Sequence, residues 1–423
     1  MSPPAFRRSP LVVLFLTVFI DLMGFGIVIP LLPAYAERLH HATPSVAGAL
    51  VGVYSLMQLV FAPIWGVVSD RLGRRTVILV SLAGSTVSYL LLGVAWSIGM
   101  LFLARILAGV AGANIPVAQA YVADVTPVSE RARGMGLIGA AFGLGMVIGP
   151  ALGAGLTLVG PRVPEFFAAG LCLANLGLAA VLLPESLPEG RRRPRQFKHP
   201  LSPGSLRAAA APPGAPVLFA IYFLATLGFS VLYGTFPFAA GGLLKSWAKI
   251  RGSPEPAYTY IHSCINGLWA YMGLVAVVVQ GGLLGRLARR VSEVALVRAG
   301  TVGLALGLAW IPFAGGPVAL LLALGLVASG QGLAGPPLSS LVSQTAPGET
   351  YGEVLGVSQS LSAAARALGP TGGGLVLERL GAPAAYVCAA LCSVGALGFA
   401  LSLARRAADD HATRASLGLR RWG

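Results

Sequence analysis

What most constrains this chain is the length and number of its apolar runs. They fall at about 11–33, 46–67, 77–97, 99–122, 134–157 and 166–184, then at 216–240, 259–284, 294–313, 317–344, 354–376 and 383–403. About 20 apolar residues wound as a helix cross the hydrocarbon core of a bilayer. Inside that core every backbone N–H and C=O must bond within its own segment, so runs of this length read as helices. Composition agrees, with 56% hydrophobic and only 11% charged residues among 423 and a mean hydropathy of +0.78, which excludes two or three soluble domains. The first run follows Arg7 and Arg8 as a secretory leader would. It is too long for one, contains Asp21 and lacks a small-residue cleavage pattern, so it reads as a retained first helix.

A net charge of +15 and a pI near 10.3 raise the question of nucleic acid, but the cations sit in short loops and not on one amphipathic face. Nucleic acid is excluded on that distribution, which is instead the positive-inside pattern of a membrane protein. Its centre is Gly66–Arg75, a charged turn between two crossing-length runs, with Arg71, Arg74 and Arg75 placing it in the cytoplasm. Both termini then fall on the cytoplasmic side, and Lys245–Arg251 is the one basic loop left outside. The expected organisation is a six-helix bundle over 1–184, a proline-rich basic linker over 185–215, a second bundle over 216–404 and a cytoplasmic tail over 405–423. The linker is expected to lie along the membrane surface. Cys172, Cys264, Cys388 and Cys392 lie in apolar runs without zinc-ligand company and read as free thiols.

Six plus six runs invite a search for a repeat. Pro347 lies 220 residues after Pro127 and Pro370 lies 220 after Pro150; Gly136, Gly149 and Gly153 fall on Gly356, Gly369 and Gly373. At an offset of 215, Asp70–Arg75 meets Gly285–Arg290, a copy that keeps arginines and loses the acid. Two parallel six-helix halves are the architecture in which substrate binds between halves near the midplane and access alternates. The repeat therefore points to transport. No phosphate-cradling loop and no metal-spaced His/Cys pair occurs, so no cofactor or metal is expected, nor an enzyme.

The turn has the form Gly-x-x-x-Asp-Arg-x-Gly-Arg-Arg, and on this motif the chain resembles the major facilitator superfamily, within it the tetracycline-resistance type of drug/proton antiporter. Further matching patches are Asp21–Gly26 with Pro30 and Pro33, Gln58 with Phe61–Pro63, Arg105 with Gly109 and Gly112, Tyr121–Asp124, Glu130–Arg133, Gly143–Gly153 and Leu183–Ser186. The resemblance is dense from Phe19 to Ser186 and thin beyond. It implies an all-α membrane protein of twelve helices in two pseudo-symmetric bundles. It also implies a gate in which Asp70 latches against the start of the eleventh helix, near Tyr351–Val354, where Glu349 and Glu353 compete with it.

Within that gate Gly66 and Gly73 are expected to serve close approach and a sharp turn, the arginines to face anionic lipid, and Asp124 to pair with Arg74. Gly149 and Pro150 match the antiporter signature of the fifth helix, with plain helix packing as the alternative. Asp21, the one acid placed within an apolar run, is costly there unless it faces a polar cavity, is paired or carries a proton. It is either the proton carrier or a carboxylate satisfied by hydroxyls and backbone. Arg105 matches the family's proton-coupling arginine, whereas Arg366 has no match and is either a substrate contact or a side chain that snorkels. Either arginine is placed to pair with Asp21 or with an anionic ligand. Gln58, Tyr54, Asn114, Gln119, Tyr233, Phe236, Gln331 and Gln359 are candidate cavity residues, Gln58 through the family match; each alone is otherwise an interhelical bond or a core aromatic.

Two acids of tetracycline exporters are missing, at Ser88-Tyr89 and in Arg298–Val302, which leaves proton coupling to Asp21 and makes tetracycline itself a doubtful cargo. The expectation is a monomeric, proton-coupled exporter of a small organic compound in a bacterial cytoplasmic membrane, in contact with lipids. The alternatives are an importer or facilitator of a metabolite or lipid, and a membrane sensor or enzyme.

Overall fold

The computed structural model describes residues 10–127, 131–187, 200–247, 255–345 and 351–416, and among them no strand is present. The first apolar run is two helices, α1 (Pro10–Val28) and α2 (Leu32–His40). Pro30 and Pro33 explain the break, since proline lacks the ladder N–H and turns the preceding residue away from helix. Next come α3 (Pro44–Leu72) and α4 (Arg74–Val94), and then α5 (Ile98–Ala111) and α6 (Ile115–Val125), which share the fourth run. The bundle continues with α7 (Arg131–Val159) and α8 (Val163–Leu182), followed by α9 (Pro203–Ala210). The later runs form α10 (Ala215–Trp247) and α11 (Glu255–Val277), which passes through a π-helical turn at Val278–Leu283 into α12 (Leu284–Leu287). They end with α13 (Glu293–Trp310), α14 (Pro317–Gln344) and α15 (Tyr351–Ser416).

Within α15, Gly356–Leu403 is one apolar stretch of 48 residues. At 1.5 Å per residue that is about 72 Å of helix, twice what a bilayer core of about 30 Å needs. Gly381, at φ 82°, breaks it into two crossings, a left-handed conformation that costs glycine nothing. The described chain thus has six crossings on each side of α9.

Two connectors carry helix. α9 forms within the 185–215 linker, packs on α15 and buries Ser205 and Ala209; residues 188–199 lie outside those described. The tail expected from residue 405 continues α15 as helix to Ser416.

The sequence repeat is a repeat of packing. A Cβ on Gly149 would lie 2.7 Å from the Met23 carbonyl oxygen and 2.8 Å from the Cα of Gly26, so α7 and α1 touch backbone to backbone. At the repeat-related position, a Cβ on Gly369 would lie 2.9 Å from the Leu227 oxygen and collide with Ser230, which sets α15 on α10 in the same way. Apolar clusters fill each set: one spans α10 to α15, and two others lie within α1 to α8.

The two sets meet at the face opposite the Gly66–Arg75 turn. There the first turn of α3 crosses α15 so closely that a Cβ on Gly48 would strike the Pro370 carbonyl and one on Gly374 the Pro44 carbonyl. Ser45 N donates to Glu378 Oε2 at 3.1 Å, so a carboxylate from the last six crossings caps a helix of the first six. Between α7 and α11, Ser263 Oγ donates to Ala154 O at 3.1 Å and Asn266 Nδ2 to Thr157 Oγ1 at 3.4 Å.

Gly149→Val should force α1 and α7 apart at a cost of about 1–3 kcal/mol, as overpacking does. Thermal unfolding in detergent should fall for this variant and not for Gly155→Ala, whose added Cβ meets nothing within 4 Å among the described residues.

Candidate functional site

At the turn, α3 ends on Leu72 and α4 begins on Arg74, with Gly73 between them at φ 99°. That left-handed geometry is the reason for glycine there. Gly66 has no such reason: a Cβ added to it meets nothing within 4 Å among the described residues, so its expected close approach is not made. Arg74 turns inward, 8% exposed, and its guanidinium reaches Asp70 Oδ1 at 2.5 Å, Asp124 Oδ2 at 3.2 Å and Ser69 Oγ at 2.5 Å. Arg75 donates to Ala180 O and is half-buried, so of the three arginines only Arg71 is fully exposed.

Glu185, previously only part of a family patch, has a defined place. It accepts from Arg74 N at 2.9 Å and Arg75 N at 3.2 Å, capping α4, whose own Gly73 offers no side chain. Asp124 is also held by Ser186 Oγ at 3.0 Å. The expected partner of Asp70 at the start of α15 cannot be placed: residues 346–350, Glu349 among them, and the side chain of Glu353 lie outside those described.

Deeper in the first six crossings, Asp21 on α1 faces Asn114, whose Nδ2 donates to Oδ2 at 3.5 Å, in a small cavity lined by Thr17, Ile78 and Leu82. Among the described residues no cation lies within 4 Å of it. Arg105 does not pair with Asp21. It is 1% exposed, donates from Nε to Leu50 O at 3.3 Å and stacks its guanidinium 4.4 Å from the centre of the Tyr54 ring. Its Nη2 is buried without a partner among the described residues.

Gln58 donates through Nε2 to Tyr54 Oη at 3.1 Å and Gly112 O at 2.9 Å, so its amide joins α3 to α5 and only its oxygen is left over. Ser88, where an exporter's acid was missing, donates to Ala104 O at 3.0 Å. Asp21 is not the only acid in an apolar helix: Glu165, in the first turn of α8, is 2% exposed. It stands one residue before the apolar run at 166–184.

In the last six crossings, Tyr233 on α10 stacks flat on Trp269 of α11, ring centres 5.3 Å apart, and meets Phe229 edge-on. Tyr233 packs against the apolar cores of both sets, which puts it on the seam. Phe236 is instead fully buried core, edge-on to Trp269, and is withdrawn as a cavity residue. Arg366 on α15 is half-buried, donates to Ser362 Oγ at 2.6 Å and lies within electrostatic reach of both Tyr54 and Tyr233. Neither arginine forms an ion pair with Asp21 among the described residues. Gln119 and Gln331 are half-buried and Gln359 exposed, and none makes a side-chain hydrogen bond to a described residue. Gly149 and Pro150, read as gating residues, make their close contacts with α1 of their own set. Trp269 was not anticipated; nothing in its sequence neighbourhood marks it apart from any other aromatic of a helix.

Two sets of six crossings, related by a packing repeat and carrying charged side chains inside them, define a polytopic membrane transporter. The sequence profile of the Major Facilitator Superfamily matches residues 14–370, and the chain belongs to that family. It is a secondary transporter that works by alternating access and not an enzyme. It is 32% identical over 372 residues to the class C tetracycline resistance protein of Escherichia coli, covering 86% of this chain and 88% of that one. With multidrug resistance protein 2 of Bacillus subtilis (strain 168) it shares 28% over 375 residues, covering 88% and 90%. The crystal structure of the human organic anion transporter MFSD10 (TETRAN) superposes with a TM-score of 0.69 at 28% identity, covering 94% of this chain and all of that one.

Glu185→Ala removes two charge-assisted bonds to the first turn of α4. We expect a loss of about 1–3 kcal/mol, read as a lower unfolding midpoint in detergent, with the helix content of the folded protein preserved.

Proposed function

We propose that the protein is a proton-driven antiporter that exports a hydrophobic or amphipathic organic compound across a bacterial cytoplasmic membrane. The observation that carries this is Asp21: an acid inside α1, hydrogen-bonded by Asn114 and unpaired with any described cation. An intramembrane carboxylate in that state is suited to take up and give back a proton. The likeness to tetracycline and multidrug resistance proteins supports the cargo class and the direction.

In this reading the Gly66–Arg75 turn, the linker and both termini face the cytoplasm, Arg71 meets anionic lipid, and the carrier works as a monomer. The seal among α3, α15, α7 and α11 is then the external one, and the cavity opens inward. Arg74, held between Asp70 and Asp124, keeps α3, α4 and α6 together while the halves rock. Asp21 lies on α1, α1 packs on α7, and α7 bonds α11 of the other half. A proton on Asp21 thus acts one helix away from the seam. A carrier that changes face only when loaded with proton or with substrate exchanges the two.

Asp21→Asn tests the assignment in liposomes loaded with an anionic dye, fluorescein, or a cationic one, ethidium. For each dye that the parent exports, efflux driven by a pH gradient should drop at least tenfold, while exchange of that dye across the membrane without a gradient should persist. Full gradient-driven efflux by the variant would remove Asp21 as the carrier. In weakly buffered detergent, substrate should release protons from the parent protein and none from Asp21→Asn.

A further inference from the structure

We infer that Arg366, Tyr233 and Trp269 form a subsite for the anionic group of an organic substrate. This deepens the transport reading and rests on it for the substrate's passage, but not for its binding. Three observations carry it.

The first is depth. Glu353 and Glu378, the acids nearest Arg366 along α15, are 13 and 12 residues away, about 18–20 Å along the axis at 1.5 Å per residue. Arg366 therefore sits near the middle of its crossing, too far from either end to snorkel and too deep for a lipid headgroup. The other acids of α10 to α14, Glu255 and Glu293, each begin a helix. Of these, Glu378 and Glu293 have described side chains and neither forms an ion pair with Arg366, whose one side-chain partner among the described residues is the neutral hydroxyl of Ser362.

The second is the chemistry of its neighbours, which offer hydrogens. Trp269 is 4% exposed and its Nε1 is buried with no acceptor among the described residues, a cost that ligand binding can remove. Indole N–H only donates. The ring of Trp269 lies flat on Tyr233, whose hydroxyl makes no hydrogen bond to a described residue. Guanidinium, phenol and indole together match a carboxylate or sulfonate, and their ring faces match a flat aromatic body.

The third is the contrast with Arg105, the other intramembrane arginine. Arg105 is fully enclosed, bonded to Leu50 O and stacked on Tyr54. Arg366 is half-buried on the turn of α15 where Ser230 of α10 donates from Oγ to Ala365 O at 3.0 Å, within electrostatic reach of Tyr233, which touches both cores. The carboxylate thus belongs to the first six crossings and the free cation to the last six, so proton and organic anion are handled by different halves.

Two xanthene dyes of similar size test the charge: fluorescein, an anion, and rhodamine 6G, a cation. Binding to the purified full-length protein in neutral detergent is followed by fluorescence anisotropy against empty micelles. The parent protein should bind fluorescein, Arg366→Gln should weaken it at least tenfold, and Arg366→Lys should restore part of the loss. Trp269→Phe should weaken fluorescein severalfold, and rhodamine 6G should bind all variants at least as well as the parent. Unchanged thermal midpoints confirm that the variants are folded. The inference is overturned if Arg366→Gln binds fluorescein within twofold of the parent, if both dyes weaken together, or if the parent binds rhodamine 6G and not fluorescein. Because the measurement needs no gradient, its failure is separate from failure to export either dye from liposomes, which tests the exporter reading.

Discussion

The structure depends on how closely its helices can approach. In lipid there is no hydrophobic drive to push one apolar helix against another, so packing must come from surface contact, and small residues allow it. Glycines allow it at many crossings, α5 on α3 and α13 on α14 among them, and three of these crossings build and join the two sets. α7 on α1 and α15 on α10 are the same joint, made once in each set by glycines 220 residues apart, and they build the two bundles. α15 on α3, through Gly48 and Gly374, joins one bundle to the other. The first two joints hold the bundles rigid, whereas the third must open if the carrier is to work. It is reinforced by a single carboxylate capping a helix terminus, an interaction that can be made and broken without leaving a charge buried.

Charges inside the helices are settled in three different ways. Arg74 is neutralised by two acids and a hydroxyl and becomes part of the scaffold. Arg105 has a carbonyl and an aromatic face, which hold it in place without cancelling its charge. Asp21 and Arg366 have only neutral partners among the described residues, an amide and the Ser85 hydroxyl for one and a hydroxyl for the other. An uncompensated charge in a membrane span is expensive, which is why the proposed proton and anion sites fall on these two side chains. They lie on opposite halves, with Tyr54 within electrostatic reach of both.

Much of the fold was legible because crossing a bilayer is a local property, fixed by about 20 consecutive residues. The prolines that split the first run were visible too, although the run was read through them. Helix ends were less legible: Glu165 fell outside a helix by one residue and so escaped notice as a buried acid. Partners were least legible. Gln58 was chosen as a substrate contact, yet its amide nitrogen is committed to Tyr54 and Gly112, and the second of these lies 54 residues away. Glu185 could not be seen as the cap of α4, because cap and helix are 110 residues apart in the chain.

The sequence by itself determined that the chain crosses a membrane about a dozen times, that its two halves repeat, and which few ionisable residues lie inside. Hydrophobic length, glycine spacing and the rarity of charge in apolar runs are all written along the chain. Only the tertiary structure decided what each of those charges does. Arg105 and Arg366 look alike in sequence, one arginine in the middle of one helix. Tyr54 encloses the first and the seam leaves the second half-open, because those neighbours come from helices 50 to more than 300 residues away.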